Sequence, residues 1–507
     1  LSNQGAVLAF DLGASSGRAI VGELVTGVED QCSDKCILKM TEVHRFPNVP
    51  VVINNHLHWD IALLLQEVKT GIRKASQAGY TLESCGIDTW GVDFGLLDSN
   101  GELIGLPYHY RDPQTKGLVE ELCDLFGRER LFMESGLQLM PFNTIYQLYA
   151  MKKANSPKLE MAQTLLLTPD LLSYFLTGVK VCEFTMATTT QLYNPTTRSW
   201  NTALMEQLGI PSDLMIDPIP PGTYTGDLTE EVCRELGIPG LRMVAVGSHD
   251  TESAAAAVPA TSATYAYLVC GTWSLLGTEI QEPLVHKGVM ERDFSNEGGV
   301  GGTYQLLKNI MGLWIVQECK RKWENDGIAL SFQELVELAD KAVSFRSLID
   351  PDHLRFMNPK DMPNEIRSYC RESGQPEPVT EGEVIRCVLE SLALRYRQVL
   401  EQAEELCEVN FEGLHMVGGG IQNRLLCQFT SNAIQRPLWA GPIEASAIGN
   451  IMVQLVASGQ LEDMAAGKDL IRNSFPVESY GPQDSKAWTD AYEKYSQITK
   501  STQMMTT

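Results

Sequence analysis

Three short stretches of this sequence combine glycine, hydroxyl and acidic residues in patterns that suit phosphate chemistry. The first is DLGASSGR, residues 11–18. Gly13 and Gly17 let the backbone approach an anion closely, while Ala14, Ser15 and Ser16 offer N–H and hydroxyl donors between them. Asp11, just before the turn, suits a hydrated Mg2+, and Arg18, just after it, suits a phosphate oxygen. The same small residues also satisfy an ordinary hairpin tip. CGTWS, residues 270–274, is a second glycine–hydroxyl turn. The third stretch is SHDT, residues 248–251, between apolar 244–247 and Ala-rich 252–257. Asp250 is placed there to accept a proton from an attacking hydroxyl, with His249 as the rival base. Capping the following helix is the alternative use of Asp250.

Other features sharpen the reading by exclusion. The chain contains no GxxxxGK[ST] and no GxGxxG between a strand and a helix, which sets aside P-loop and nicotinamide chemistry. The turn Gly418-Gly419-Gly420 with Asn423 suits an adenosine cradle or a plain strand-to-helix turn. The small residues of 444–450 permit close packing of one helix on another. The twelve cysteines show no zinc spacing: Cys32 and Cys36 are four apart without a second pair. They read as reduced thiols of a cytoplasmic protein. His56 and His58, in an Asn-containing turn, are expected to face solvent. Trp90 and Trp273 adjoin glycine turns, where stacking on a ligand and simple packing are both open.

With 64 acidic against 40 basic side chains in 507 residues, the net charge is −24, which argues against nucleic acid as a partner. The composition, 44% hydrophobic and 21% charged, is that of a globular chain of several domains. The first residues do not read as a signal peptide. The most apolar region, 254–269, is broken by Pro259, Thr261 and Ser262, so no membrane span is expected.

The elements that must hold these residues alternate between strand and helix, the pattern of an α/β fold. Apolar 7–10 and 19–24 predict a hairpin around the first turn, and 263–269 with 275–280 predict another around the second. Asp60 caps a helix over Ile61–Gln77 that carries Leu64, Val68 and Ile72 on one face. A strand is expected at 84–89, helices at 165–176 and 202–208, and a strand at 243–247 after a loop marked by Pro218, Pro220 and Pro221. Thr380 and Glu383 form a capping box that opens a helix to about Cys407. Residues 414–417 read as a strand, and the last dozen residues as a frayed tail. Because the two glycine–hydroxyl hairpins lie about half the chain apart, the spacing predicts an internally duplicated fold with a cleft between its copies.

The ordered set DLGASSGR, SHDT, CGTWS and VGGGIQN followed by GPIEASAIGN, over about residues 7–470, resembles the FGGY carbohydrate kinases. Within that family, GIDTWGVDF (86–94), YRD (110–112), LLTPD (166–170), TTTQL (188–192) and KNIMGLW (308–314) resemble the branch that acts on L-rhamnulose. The resemblance implies a duplicated actin-like ATPase (ribonuclease H-like) fold, with domains at 1–258 and 259–480 and a C-terminal helix with a frayed tail at 481–507. It implies ATP- and Mg2+-dependent phosphorylation of L-rhamnulose at its 1-hydroxyl, in the cytoplasm, without nucleic-acid or membrane partners, by a monomer or homodimer. Asp250 then matches the general base, and Gly91, His249 and Thr251 the sugar contacts. Ala14, Ser15, Ser16, Gly17, Arg18, Thr272, Asn309, Gln317 and Gly419 match nucleotide contacts, and Asp11 the metal position, through water. A kinase for another ketose, such as L-fuculose or L-xylulose, and an actin-like ATPase or chaperone without sugar-kinase activity are the alternatives.

Overall fold

The computed structural model describes residues 5–26 and 36–506; Cys32 lies outside them. The chain forms two compact units. The first comprises Leu1–Pro259, Glu279–Leu306 and Ala445–Phe475, and the second Ala260–Thr278, Leu307–Glu444 and Pro476–Thr507. Pro259 thus ends the first continuous stretch, close to where the PATSA sequence breaks the helix, while two later segments return to the first unit.

The first unit is built on a six-stranded sheet, in the order Tyr224–Asp227, Arg242–Val244, Leu82–Thr89, Ala6–Leu12, Ser16–Thr26, Cys36–Pro47. The last three form an antiparallel meander. Leu82–Thr89 adds in parallel to Ala6–Leu12, Arg242–Val244 adds in parallel to that, and Tyr224–Asp227 closes the edge antiparallel. Ala6–Leu12 is buried along its whole length, as a central strand covered on both faces must be. Helix Ile61–Gln77 covers the sheet with Leu64, Val68 and Ile72 buried, and the Asp60 carboxylate accepts from the Leu63 N–H at 3.0 Å.

The second sheet has seven strands, in the order Ser295–Gly298, Tyr304–Met311, Trp273–Ile280, Ala266–Cys270, Leu414–Val417, Leu438–Ala440, Glu478–Tyr480. Here too a hairpin is followed by two parallel strands and an antiparallel edge. The two sheets therefore share a core arrangement, in which the hairpins around Gly13 and Gly271 occupy equivalent positions, while the edge strands differ in number and in chain order. This is the duplication that their spacing predicted. The long helix Glu381–Cys407 begins at the expected Thr380–Glu383 capping box and is buried over most of its circumference.

Several expectations need correction. The run 165–176 is two elements, strand Thr164–Leu167 and helix Thr168–Thr177, because Pro169 belongs in a first helical turn and not in a helix interior. A strand, Tyr224–Asp227, and a helix, Glu230–Leu236, lie between the proline-rich loop and the strand at 242–244. Helix Ser485–Thr506 is the C-terminal helix expected within 481–507 and extends into the last dozen residues; Trp488 and Tyr495, ahead of these, are buried along it. His58 does not face solvent: it is buried against the Tyr108 ring, 4.6 Å between centroids, and burial lowers its pKa. Among the described residues no helix is long and apolar enough to cross a membrane, and the eleven described cysteines are free thiols.

One buried acid organises the loops that follow Leu82–Thr89. Asp93 is fully buried and accepts from Trp59 Nε1 (2.6 Å), Trp90 Nε1 (3.0 Å), the Tyr110 N–H (3.0 Å) and Gln147 Nε2 (2.8 Å). Burial raises its pKa to about 7 against the opposing pull of these donors. Trp90 is thereby packed, its ring 3.9 Å from that of Trp59. Asp93→Ala orphans four donors, two of them indoles, so unfolding in urea should show a loss of at least about 3 kcal/mol. An unchanged midpoint would show that the carboxylate is not the anchor of these loops.

Candidate active site

In the first unit the sheet register brings acids together. Asp11 and Asp88 are partners on the parallel strands Ala6–Leu12 and Leu82–Thr89, near the carboxyl ends where α/β sheets place ligands. Asp11 is also the antiparallel partner of Arg18, whose Nε and a terminal nitrogen reach Asp11 Oδ2 at 2.9 and 2.8 Å. Arg18 therefore turns back onto Asp11 and neutralises it. The hairpin tip is braced by Asn48: its N–H donates to the Ser15 carbonyl at 3.0 Å, and its Nδ2 to the Gly13 carbonyl at 2.9 Å. Gly17 is required for packing, since a Cβ there would sit 2.3 Å from the Phe46 ring. Ser15 is left exposed between Ala14 and Ser16.

The SHDT tetrad is fixed from two sides. The Thr89 N–H donates to the Ser248 carbonyl at 2.9 Å, so residue 249 bridges in parallel to the end of strand Leu82–Thr89. From the other side, Glu183 Oε2 accepts from the Ser248 N–H at 3.3 Å, and Thr185 Oγ1 from the His249 N–H at 3.0 Å. Helix Asp250–Ala256 then starts at Asp250, with His249 in the capping position and no side-chain cap. The capping alternative for Asp250 is thus not what the structure shows. The Asp250 carboxylate accepts from Thr251 Oγ1 at 3.3 Å and lies 3.7 Å from His249 Nε2.

Burial raises the Asp250 pKa to about 6; the His249 charge opposes the rise and the Asp11 charge adds to it. Asp88 is raised well above the carboxylate range, first by burial and then by the charge of Asp11, against a hydrogen bond from Asn450. Burial depresses His249, but Glu297, 3.0 Å from its Nδ1, and Asp250 more than offset this, so its pKa is raised. Three aspartates thus share one electrostatic environment.

Gly91 follows on the same strand end. A Cβ there would stand 3.1 Å from Thr189, whose hydroxyl accepts from the Val92 N–H at 3.1 Å. Val92 has φ +66°, a strained conformation for a β-branched residue that holds this loop in one shape.

The floor beneath Asp250 comes from late in the chain. Helix Ala445–Ala457 lies against helix Asp250–Ala256 so closely that a Cβ on Gly449 would stand 1.8 Å from the Ser253 carbonyl oxygen. Asn450 Nδ2 donates to Asp88 Oδ2 at 2.7 Å, and Gln454 Nε2 donates to the Leu8 carbonyl at 3.0 Å. Close packing at 444–450 was legible in the small residues; the grip on Asp88 was not.

The second unit gathers the remaining candidates. The Gly271 and Thr272 carbonyls accept the N–H groups of Leu313 and Trp314, both at 3.0 Å, which sets helix Trp314–Asn325 against the hairpin tip. Thr272 Oγ1 then reaches Gln317 Oε1 at 3.5 Å. Gly418 has φ +89° and, like Gly420, packs on Cys270, whereas Gly419 is exposed with open space around it. Asn309 is half-buried on the strand Tyr304–Met311, next to the hairpin strand. Asn423 caps helix Arg424–Ile434 through the Leu426 N–H at 3.0 Å.

The N-terminal-domain profile of the FGGY family of carbohydrate kinases matches residues 6–257, and the C-terminal-domain profile matches 266–458. The chain belongs to the FGGY family of carbohydrate kinases. It is 44% identical over 484 residues to a rhamnulokinase of Bacteroides thetaiotaomicron, covering 96% of this chain and 97% of the relative. It is 42% identical over 477 residues to one of Halalkalibacterium halodurans, covering 94% and 99%. Solved structures share the fold: a ligand-bound xylulose kinase from Lactobacillus acidophilus has TM-score 0.78 at 15% identity, covering 98% of each chain. A glycerol kinase from Plasmodium falciparum with ADP has TM-score 0.74 at 13% identity, covering 97% of this chain and 98% of its own. The fold is therefore the duplicated α/β fold of these kinases, and the chain is a carbohydrate kinase.

Sequence reasoning did not single out Asp88, Glu297, Glu252 or Asn450. An acid ending an otherwise apolar strand, as in both FDLG and IDTWG, is a signal that would have found Asp88. Gly449→Ala forces helix Ala445–Ala457 away from the Ser253 carbonyl on the helix that begins at Asp250, at a cost of about 1–3 kcal/mol for overpacking. We expect a lower melting temperature and a fall in kcat; wild-type values of both would contradict this packing.

Proposed function

We propose that the chain transfers the γ-phosphoryl group of ATP to the 1-hydroxyl of L-rhamnulose, giving L-rhamnulose 1-phosphate and ADP. The observation that carries this reading is the near-full-length identity to proteins named rhamnulokinase, 38–44% among seven relatives. The buried Asp250 beside His249 supports it chemically. Asp250 takes the proton of the 1-hydroxyl as that oxygen forms its bond to phosphorus and the bond to the ADP oxygen breaks. His249, held by Glu297, presents Nε2 toward Asp250 and the sugar, and Gly91 and Thr251 line the sugar position.

The Ala14–Arg18 tip, with Ser15, Ser16 and Gly17, offers N–H and hydroxyl donors to phosphate. Thr272, Asn309, Gln317 and Gly419 are the candidate nucleotide contacts. The donor set fits Mg2+: Asp11 and Asp88 are adjacent carboxylates, and Asp88 Oδ1 is buried without a hydrogen-bond partner among the described residues. Asp11 already pairs with Arg18 at 2.8 Å, so it would meet a hydrated cation through water. When bound, Mg2+ supplies charge neutralisation at the phosphates. Free thiols fit work in the reducing cytoplasm.

A coupled ADP-release assay over a panel of ketoses tests the proposal. We expect ADP release only with sugar present, and the highest kcat/KM for L-rhamnulose over L-fuculose and L-xylulose. Fast ATP hydrolysis indifferent to every sugar would replace this reading with a bare actin-like ATPase, and a better ketose would reassign the substrate.

A further inference from the structure

Beneath the tetrad, on the side of His249 away from Asp250, lies a cluster whose third member, Glu252, the proposed phosphoryl transfer does not use. Glu252 is the third residue of the helix begun by Asp250, and only 1% of it is exposed. Neither of its carboxylate oxygens accepts a hydrogen bond from any described residue. Glu297, on strand Ser295–Gly298, is also buried, and its Oε2 lies 3.0 Å from His249 Nδ1. That pair is close enough for charge attraction but out of line for a hydrogen bond, so these two atoms too have no hydrogen-bond partner. One ligand atom each from His249, Glu252 and Glu297 falls within 4.8 Å of the others.

The neighbouring charges make this arrangement costly without a counter-ion. Glu252 faces the charges of Glu297, Glu183, Glu279 and Asp250. Glu183 does not relieve it, because its oxygens already accept from the Thr185 hydroxyl and from the N–H groups of Thr185, Met186 and Ser248. Buried carboxylates in such a position are neutralised by a proton or by a cation. Glu252 is moreover set among Ser253 and four alanines, where a small residue would pack without that cost.

We propose that His249 Nδ1 and the carboxylates of Glu252 and Glu297 form a binding site for one divalent transition-type cation, of the Zn2+ or Mn2+ class. One imidazole with two carboxylates is a donor set those ions accept, and its two negative charges balance the ion. Metal–ligand bonds of about 2.0–2.2 Å place donor atoms roughly 3–4 Å apart, so small rotations of the glutamates close the observed cluster onto an ion. Coordination through Nδ1 leaves the proton on Nε2, the nitrogen that faces Asp250. The site is distinct from Asp11 and Asp88, and it does not depend on which sugar the enzyme takes.

The test uses the metal alone, without nucleotide or sugar, so that failure of the sugar-kinase reading does not affect it. The full-length protein, stripped with chelator, is titrated with Co2+ while visible absorption and calorimetry are followed. One equivalent should bind with the d–d bands of a nitrogen–oxygen site and raise the melting temperature. In Glu252→Gln the dissociation constant should rise at least tenfold, and Glu252→Ala, which relieves a buried acid, should melt no lower than wild type without metal and gain nothing from Co2+. Asp11→Asn should retain the site. Absence of a stoichiometric equivalent, or one lost in Asp11→Asn and kept in Glu252→Ala, overturns the proposal and leaves a proton as the neutralising charge.

Discussion

Keeping several carboxylates dry and close together is the constraint on which the first unit is built. The register of two parallel strands makes Asp11 and Asp88 neighbours, and the helix starting at Asp250 adds a third acid to the same field. Burial raises the pKa of Asp88 and of Asp250, and the nearby charge of Asp11 adds to both. The fold answers with directed partners: Arg18 on Asp11, Asn450 on Asp88, and His249 with Thr251 beside Asp250. The close approach of Gly449 to the Ser253 carbonyl is what brings Asn450 within reach of Asp88. A segment more than 350 residues downstream of Asp88 is therefore structurally part of its environment.

The second unit repeats the core of the sheet but does different work with it. At Asp11 the first hairpin carries an acid with an arginine partner. The second hairpin carries no acid there: Val269 stands two residues before Gly271, Cys270 is buried under Gly418 and Gly420, and the tip is tied instead to the helix bearing Gln317. One core arrangement thus yields an acidic end in one copy and a neutral turn carrying hydroxyl, amide and glycine in the other. A net charge of −24 is no obstacle to nucleotide chemistry under this arrangement, because local donors decide what an anion meets.

Much of this was legible in the residues themselves. Caps and glycine–hydroxyl turns are local signals, so the helix after Asp60, the helix after Thr380 and both hairpins were readable. Spacing of the hairpins disclosed the duplication. The leucine run before Pro169 misled, since periodicity cannot separate a buried strand from a buried helix, and only the proline's preference for a first turn divides them. His58 misled for another reason: its burial depends on Tyr108, fifty residues away. Glu297 and Asn450 carry no local mark at all, because their importance arises only from the groups that folding sets opposite them.

The proposed phosphoryl transfer turns on Asp250 as the group that takes the sugar proton. Single-turnover phosphoryl transfer by Asp250→Asn, measured by rapid quench with nucleotide affinity determined in parallel, tests this most directly. This role of Asp250 predicts a transfer rate lower by about 10²–10⁴-fold with ATP affinity retained. A rate within a few-fold of wild type, or a loss matched by lost nucleotide binding, would contradict it.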